Sequence, residues 1–83
     1  MELRYEKNRI FAVNDDRVPF AEIDFRETKP GVITITHTDV DTTERGKGIA
    51  EQLVVAAVEE IERRGCKPEA TCTYAAEWLL RNR

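Results

Sequence analysis

The sequence predicts a single α/β (α+β) domain over residues 1–83, with elements in the order β-β-β-β-α-β-α and a mostly antiparallel sheet. Three stretches carry that prediction. Within residues 18–26, Ala21, Ile23 and Phe25 alternate with Glu22, Asp24 and Arg26, the period of a strand with one wet face. Residues 32–40 are dense in β-branched side chains, which suit a pleated sheet. After the polar break Asp41-Thr42-Thr43-Glu44, Ile49, Leu53, Ala57 and Ile61 recur at helical spacing.

In chain order, Leu3 and Tyr5 predict a first short strand and residues 9–13 a second, with Glu6-Lys7-Asn8 as the bulge or turn between them. Asn14-Asp15-Asp16-Arg17 supplies turn chemistry before the strand at 18–26. Glu27-Thr28-Lys29-Pro30-Gly31 is the next expected turn, since proline fixes φ and glycine permits positive φ. Such short links imply an antiparallel meander. A helix is expected from about 46 to 64, its apolar face of Ile49, Leu53, Val54, Ala56, Ala57, Val58 and Ile61 packed on the sheet. Arg63 and Arg64 complement its negative end and Gly65 stops it. Residues 66–72 have room for one more strand, made edge-like by Pro68 and Glu69. A last helix over 73–82 would turn Ala75, Ala76, Leu79 and Leu80 inward, with Trp78 as its anchor.

Composition narrows the function. A hydrophobic share of 41% with 35% charged residues is that of a folded domain, and no run is long enough to span a bilayer, so no membrane partner is expected. Met1-Glu2-Leu3-Arg4 lacks the apolar stretch of a signal peptide, so a cytoplasmic protein with Cys66 and Cys72 reduced is the expectation. The net charge of −3 argues against a nucleic-acid partner. One histidine and two scattered cysteines do not make a zinc set, so no metal is expected. The expected assembly state is a monomer or weak homodimer.

The stretch joining the fourth strand to the long helix is where chemistry is expected. Gly46 and Gly48 stand at the helix entrance beside Arg45 and Lys47. Unpaired backbone N–H groups and the positive end of the helix dipole converge there, and the two basic side chains add charge, so a phosphate is the expected guest.

Arg45-Gly46-Lys47-Gly48-Ile49-Ala50, preceded by Val40, resembles the acetyl-CoA signature Gln/Arg-x-x-Gly-x-Gly/Ala of the GNAT N-acetyltransferases, with Arg45, Gly48 and Ala50 at the matching places. His37-Thr38 before it and Cys72-Thr73-Tyr74-Ala75-Ala76 after it are similar to the very small stand-alone, YjdJ-type branch of that family. The resemblance implies a twisted sheet splayed between its fourth and fifth strands, with acetyl-CoA in the gap. Main-chain N–H groups from Arg45 through Gly46, Lys47, Gly48 and Ile49 to Ala50 would then cradle the pyrophosphate. The pantetheine arm would pair with exposed backbone near Thr38 and Val40 as an added strand. Many family members carry Asn-x-x-Ala-x-x-x-Tyr on the last helix, the tyrosine protonating the departing thiolate. Here Ala75 matches, but Cys72 stands at the asparagine place and Leu79 at the tyrosine place, so the usual acid is missing.

The implied function is transfer of acetyl from acetyl-CoA to an unidentified amine acceptor by direct attack in a ternary complex. The alternative is an acyl-CoA-binding or regulatory module with little turnover. His37 is either the base that deprotonates the amine or a histidine in a cross-strand hydrogen bond. Cys72 is either a nucleophile activated at a helix N-terminus or a small residue lining the cofactor slot. The N–H of Val40 is a candidate to polarise the thioester carbonyl, and Tyr74 is a fallback acid or a rim aromatic.

Overall fold

The computed structural model describes residues 1–83. Strands β1 (Glu2–Tyr5), β2 (Arg9–Val13), β3 (Pro19–Lys29) and β4 (Val32–Val40) form an antiparallel meander. A short 3-10 turn at Thr42–Glu44 leads into α1 (Ile49–Arg63), after which β5 (Lys67–Ala70) and α2 (Thr73–Asn82) complete the chain. The sheet has five strands in sequence order, and β5 lies parallel to β4, as a crossover through a helix requires. No helix is long and apolar enough to cross a membrane.

The expected order holds, with three differences. Strand β3 runs on to Lys29, because Pro30 and Gly31 alone turn the chain, Gly31 at φ 79°. Helix α1 begins at Ile49 and not near Gly46, because Gly46 and Gly48 take φ of 83° and 76°, left-handed values that no α-helical residue adopts. On α2, Ala75 and Trp78 are buried, but Leu80 is 85% exposed and does not face inward.

One core fills the space between the sheet and the helices. Ile10, Ile23, Phe25 and Ile35 of the sheet meet Leu53, Val54, Val58 and Ile61 of α1, all at most 1% exposed. Within β4 the register slips by one residue, Phe25 facing Ile35 while Asp24 faces His37, so Thr36 is an extra residue, a β-bulge. It inverts the alternation: Ile33 and Ile35 face the core before it, and Thr38 and Val40 do after it.

The far end of α1 is tied to the β1–β2 turn. Arg64 donates through Nη1 to the Lys7 carbonyl at 2.9 Å and through Nε to Glu60 at 2.8 Å, and its guanidinium stands 5.4 Å from the centre of the Phe25 ring. Hydrogen bonds from Arg63 and then Arg64 hold the Glu60 carboxyl down to about 2 from its ordinary 4.5. A carboxyl lowered on folding adds stability that is present above its unfolded value and is lost as pH falls through its folded value. Thermal melts of Glu60→Gln should therefore lie about 4–8 °C below wild type at pH 7, for a contribution on the order of 1 kcal/mol, and converge on wild type between pH 4.5 and 2. A constant separation across that window would show that the ion pairs contribute nothing.

Candidate active site

The site is built where β4 loses its neighbour. Strand β5 pairs with β4 only from Val32 to Ile35, and the chain then departs as the N–H groups of Thr71 and Cys72 both bond the Ile35 carbonyl, at 3.0 and 3.3 Å. The remainder of β4, to Val40, is bonded to β3 alone. Its free groups follow from the ladder geometry. The Asp41 N–H bonds the Phe20 carbonyl across the Val40–Ala21 pair, which marks that pair as one whose own N–H and C=O point away from each other. The main-chain groups of Val40, and by the two-residue period those of Thr38, are thus aimed into the gap.

The loop that closes one end of the gap is held open for a ligand. None of the backbone N–H groups from Gly46 to Glu51 finds an acceptor in the chain, the first helical bond being Gln52 N–H to the Gly48 carbonyl at 3.2 Å. Gly46 and Gly48 take positive φ, as the loop of an anion-binding nest does, and Gly48 caps the N-terminus of α1 with no side chain in the way. A Cβ at either glycine would meet nothing within 4 Å, so the chain itself asks for glycine here through φ and leaves the space free. Arg45 braces the loop on the strand: its Nε donates to the Val40 carbonyl at 3.0 Å, and its Nη2 stands 3.9 Å from Asp39.

Between strand, loop and helix lies a cavity of about 420 Å³. Seven of the expected cofactor residues line it: Thr38, Val40, Arg45, Gly46, Gly48, Ile49 and Ala50. Lys47 does not, since its ammonium is paired with Glu44 at 3.1 Å. Ala75 is fully buried in the core and presents no surface to a cofactor. Cys72, half-buried, stands behind the wall, its thiol donating to Thr38 Oγ1 at 3.5 Å. Asp39, Glu44 and Tyr74 also line the cavity. Tyr74 was legible as a rim aromatic. The two acids were not, because in the sequence they read only as turn and wet-face residues.

His37 lies elsewhere. The bulge turns it, with Asp39, to the sheet face opposite Thr38, where it is exposed and paired in register with Asp24. The structure therefore does not bring His37 and Cys72 together: they flank the same unpaired stretch of β4 from opposite faces. No group of three or more His, Cys, Asp or Glu side chains is close enough to hold a metal ion.

The comparisons with known proteins agree with this geometry. A search of curated proteins finds no match. Among solved structures, a GCN5-like protein from Staphylococcus aureus superposes with a TM-score of 0.76 at 29% identity, over 96% of this chain and 78% of its own. GCN5 from Tetrahymena gives 0.71 at 12% identity, over 92% of this chain and 51% of its own. A GNAT family N-acetyltransferase from Escherichia coli, solved with CoA, gives 0.63 at 21% identity, over 70% of this chain and 35% of its own. This chain thus spans about half or less of the length of the last two. The family model for the GCN5-related N-acetyltransferases matches residues 9–83, nearly all of the sheet and both helices, and the chain belongs to that family.

Proposed function

We propose that the chain binds acetyl-CoA in the gap beside β4 and transfers its acetyl group to an amine. One observation carries the reading: Gly46, Gly48, Ile49 and Ala50, whose N–H groups bond nothing in the chain, line the same cavity as Thr38 and Val40 on the stretch of β4 that β5 leaves unpaired. A pyrophosphate needs the first and an extended amide-bearing arm needs the second, and CoA carries both at the right order along its length. The chain is an acetyl-CoA-dependent acyltransferase of this family, and it works as a cytoplasmic protein of the small stand-alone branch.

The amine attacks the thioester carbon directly, in a ternary complex, the C–N bond forming as the C–S bond breaks and CoA leaves as its thiolate. The acceptor reaches the gap from the outer face of the sheet, where His37 is exposed and takes the proton from the arriving amine. Glu22, Asp24 and Asp39 share that face, which suits an amine that arrives as an ammonium ion. The Val40 N–H, aimed into the gap, polarises the thioester carbonyl. A second reading, binding with little turnover, is favoured by Leu79, which packs against the core where the family's usual acid would stand.

Incubating the protein with labelled acetyl-CoA and a panel of amines, with products read by mass spectrometry, separates the two. We expect acetylated amine from wild type and a loss of about 100-fold in kcat/KM for His37→Gln with CoA affinity unchanged. Saturable CoA binding with no acetylated product from any amine would favour the binding module. Equal turnover by His37→Gln would remove the histidine from the mechanism.

A further inference from the structure

We propose that Thr38 is a positioning residue of this site: its side-chain hydroxyl holds the Cys72 sulfur behind the cavity wall, beside the unpaired stretch of β4. The proposal rests on the reading of that gap as the acetyl-CoA slot. The bulge at Thr36 turns the Thr38 side chain to the inner face of the sheet, and Cys72 arrives there as the residue capping the ten-residue helix α2. The sulfur and Oγ1 meet at 3.5 Å, both residues half-buried. A hydroxyl is both donor and acceptor, so it accepts from the thiol and donates to the thiolate, and the contact survives either protonation state. Valine has the same shape and can do neither.

The surroundings support a tuned sulfur. Burial pushes the Cys72 thiol up, but the Thr38 hydroxyl, followed by the main-chain N–H groups of Ala75, Tyr74 and Thr38, outweighs it and leaves the thiol below its ordinary value of 9.0. None of those N–H groups makes a full cap hydrogen bond, which leaves the hydroxyl as the one side chain bonded to the sulfur. No charge contributes. His37 and Asp39 of β4 lie on the other face, Glu51 of α1 is engaged by the Trp78 indole, and neither Lys67 and Glu69 of β5 nor the Tyr74 phenol of α2 acts on the sulfur.

The test is the pH dependence of Cys72 alkylation by iodoacetamide, read at that residue by peptide mass, with CoA titrated by calorimetry in parallel. We expect Thr38→Val to move the midpoint upward and to slow alkylation at pH 7 by about 3- to 10-fold, and Thr38→Ser to restore the wild-type profile. Thr38→Ala, which cannot over-fill the site, gives the same readout should valine disturb the strand. A Thr38→Ala or Thr38→Val profile that superimposes on wild type overturns the proposal, as does a serine variant that behaves like valine. Wild type that binds no CoA would sink the cofactor reading instead, and the alkylation profiles would still decide the role of Thr38.

Discussion

Gly48→Glu should lose CoA affinity by at least about 100-fold, nearly 3 kcal/mol, while the domain still folds. The carboxylate would stand at the N-terminus of α1, among N–H groups that bond nothing in the chain, and would both fill and neutralise the place of the phosphates. Folding suffers less. A side chain at φ 76° costs about 1–2 kcal/mol, and no atom lies within 4 Å of the new Cβ. Gly48→Ala carries the same backbone strain without the charge, so calorimetry on the pair isolates the electrostatic part. Equal affinities for the glutamate and alanine variants would refute an anion loop at this position.

Trp78→Ala should be the most destabilising change in the second helix, by about 3–5 kcal/mol, against a total of roughly 4–12 kcal/mol for a domain of this size. The indole is 7% exposed within the main core, its N–H donates to Glu51 Oε2 at 3.2 Å, and the Arg83 guanidinium stands 5.9 Å from the ring. Trp78→Phe keeps one aromatic ring in the core and gives up the second ring and the N–H, so it should lose less, about 1–3 kcal/mol. Denaturant midpoints of the two variants measure how much of the loss a single retained ring recovers. Glu51 sits in the first turn of α1, next to the anion loop, so the alanine variant should also weaken CoA binding. Unchanged affinity in the folded fraction would show that α2 does not brace the loop.

The fold was largely legible because its signals are local. Ala21, Ile23 and Phe25 show their period within a few residues, α2 starts and stops where Thr73 and Asn82 were expected to bound it, and the apolar face of α1 is the one the spacing drew. What misled was long-range or conformational. A helix beginning near Gly46 follows from spacing, but two left-handed glycines exclude it. Inward packing of Leu80 follows from composition, but Trp78 takes the buried position and leaves Leu80 in water.

The site was legible as a loop and not as a constellation. Arg45, Gly46 and Gly48 announce an anion cradle by residue type alone. Which face of β4 each residue takes depends on the bulge at Thr36, and a bulge exists only in relation to the partner strand. Without it, Thr38 and Val40 would face solvent, and His37 and Asp39 would be driven into the core. The separation of His37 from Cys72 was invisible for the same reason. The embrace of Lys47 by Glu44 was likewise beyond spacing, because rotamers decide it.

The fifth strand carries one further consequence. Lys67 and Thr71 bond toward β4 through their N–H groups, so by the two-residue period Pro68 and Ala70 look outward. Proline has no N–H to offer, and a foreign strand laid along this border would find a donor only at Ala70. The sheet is therefore blunted against strand addition along the outer border of β5.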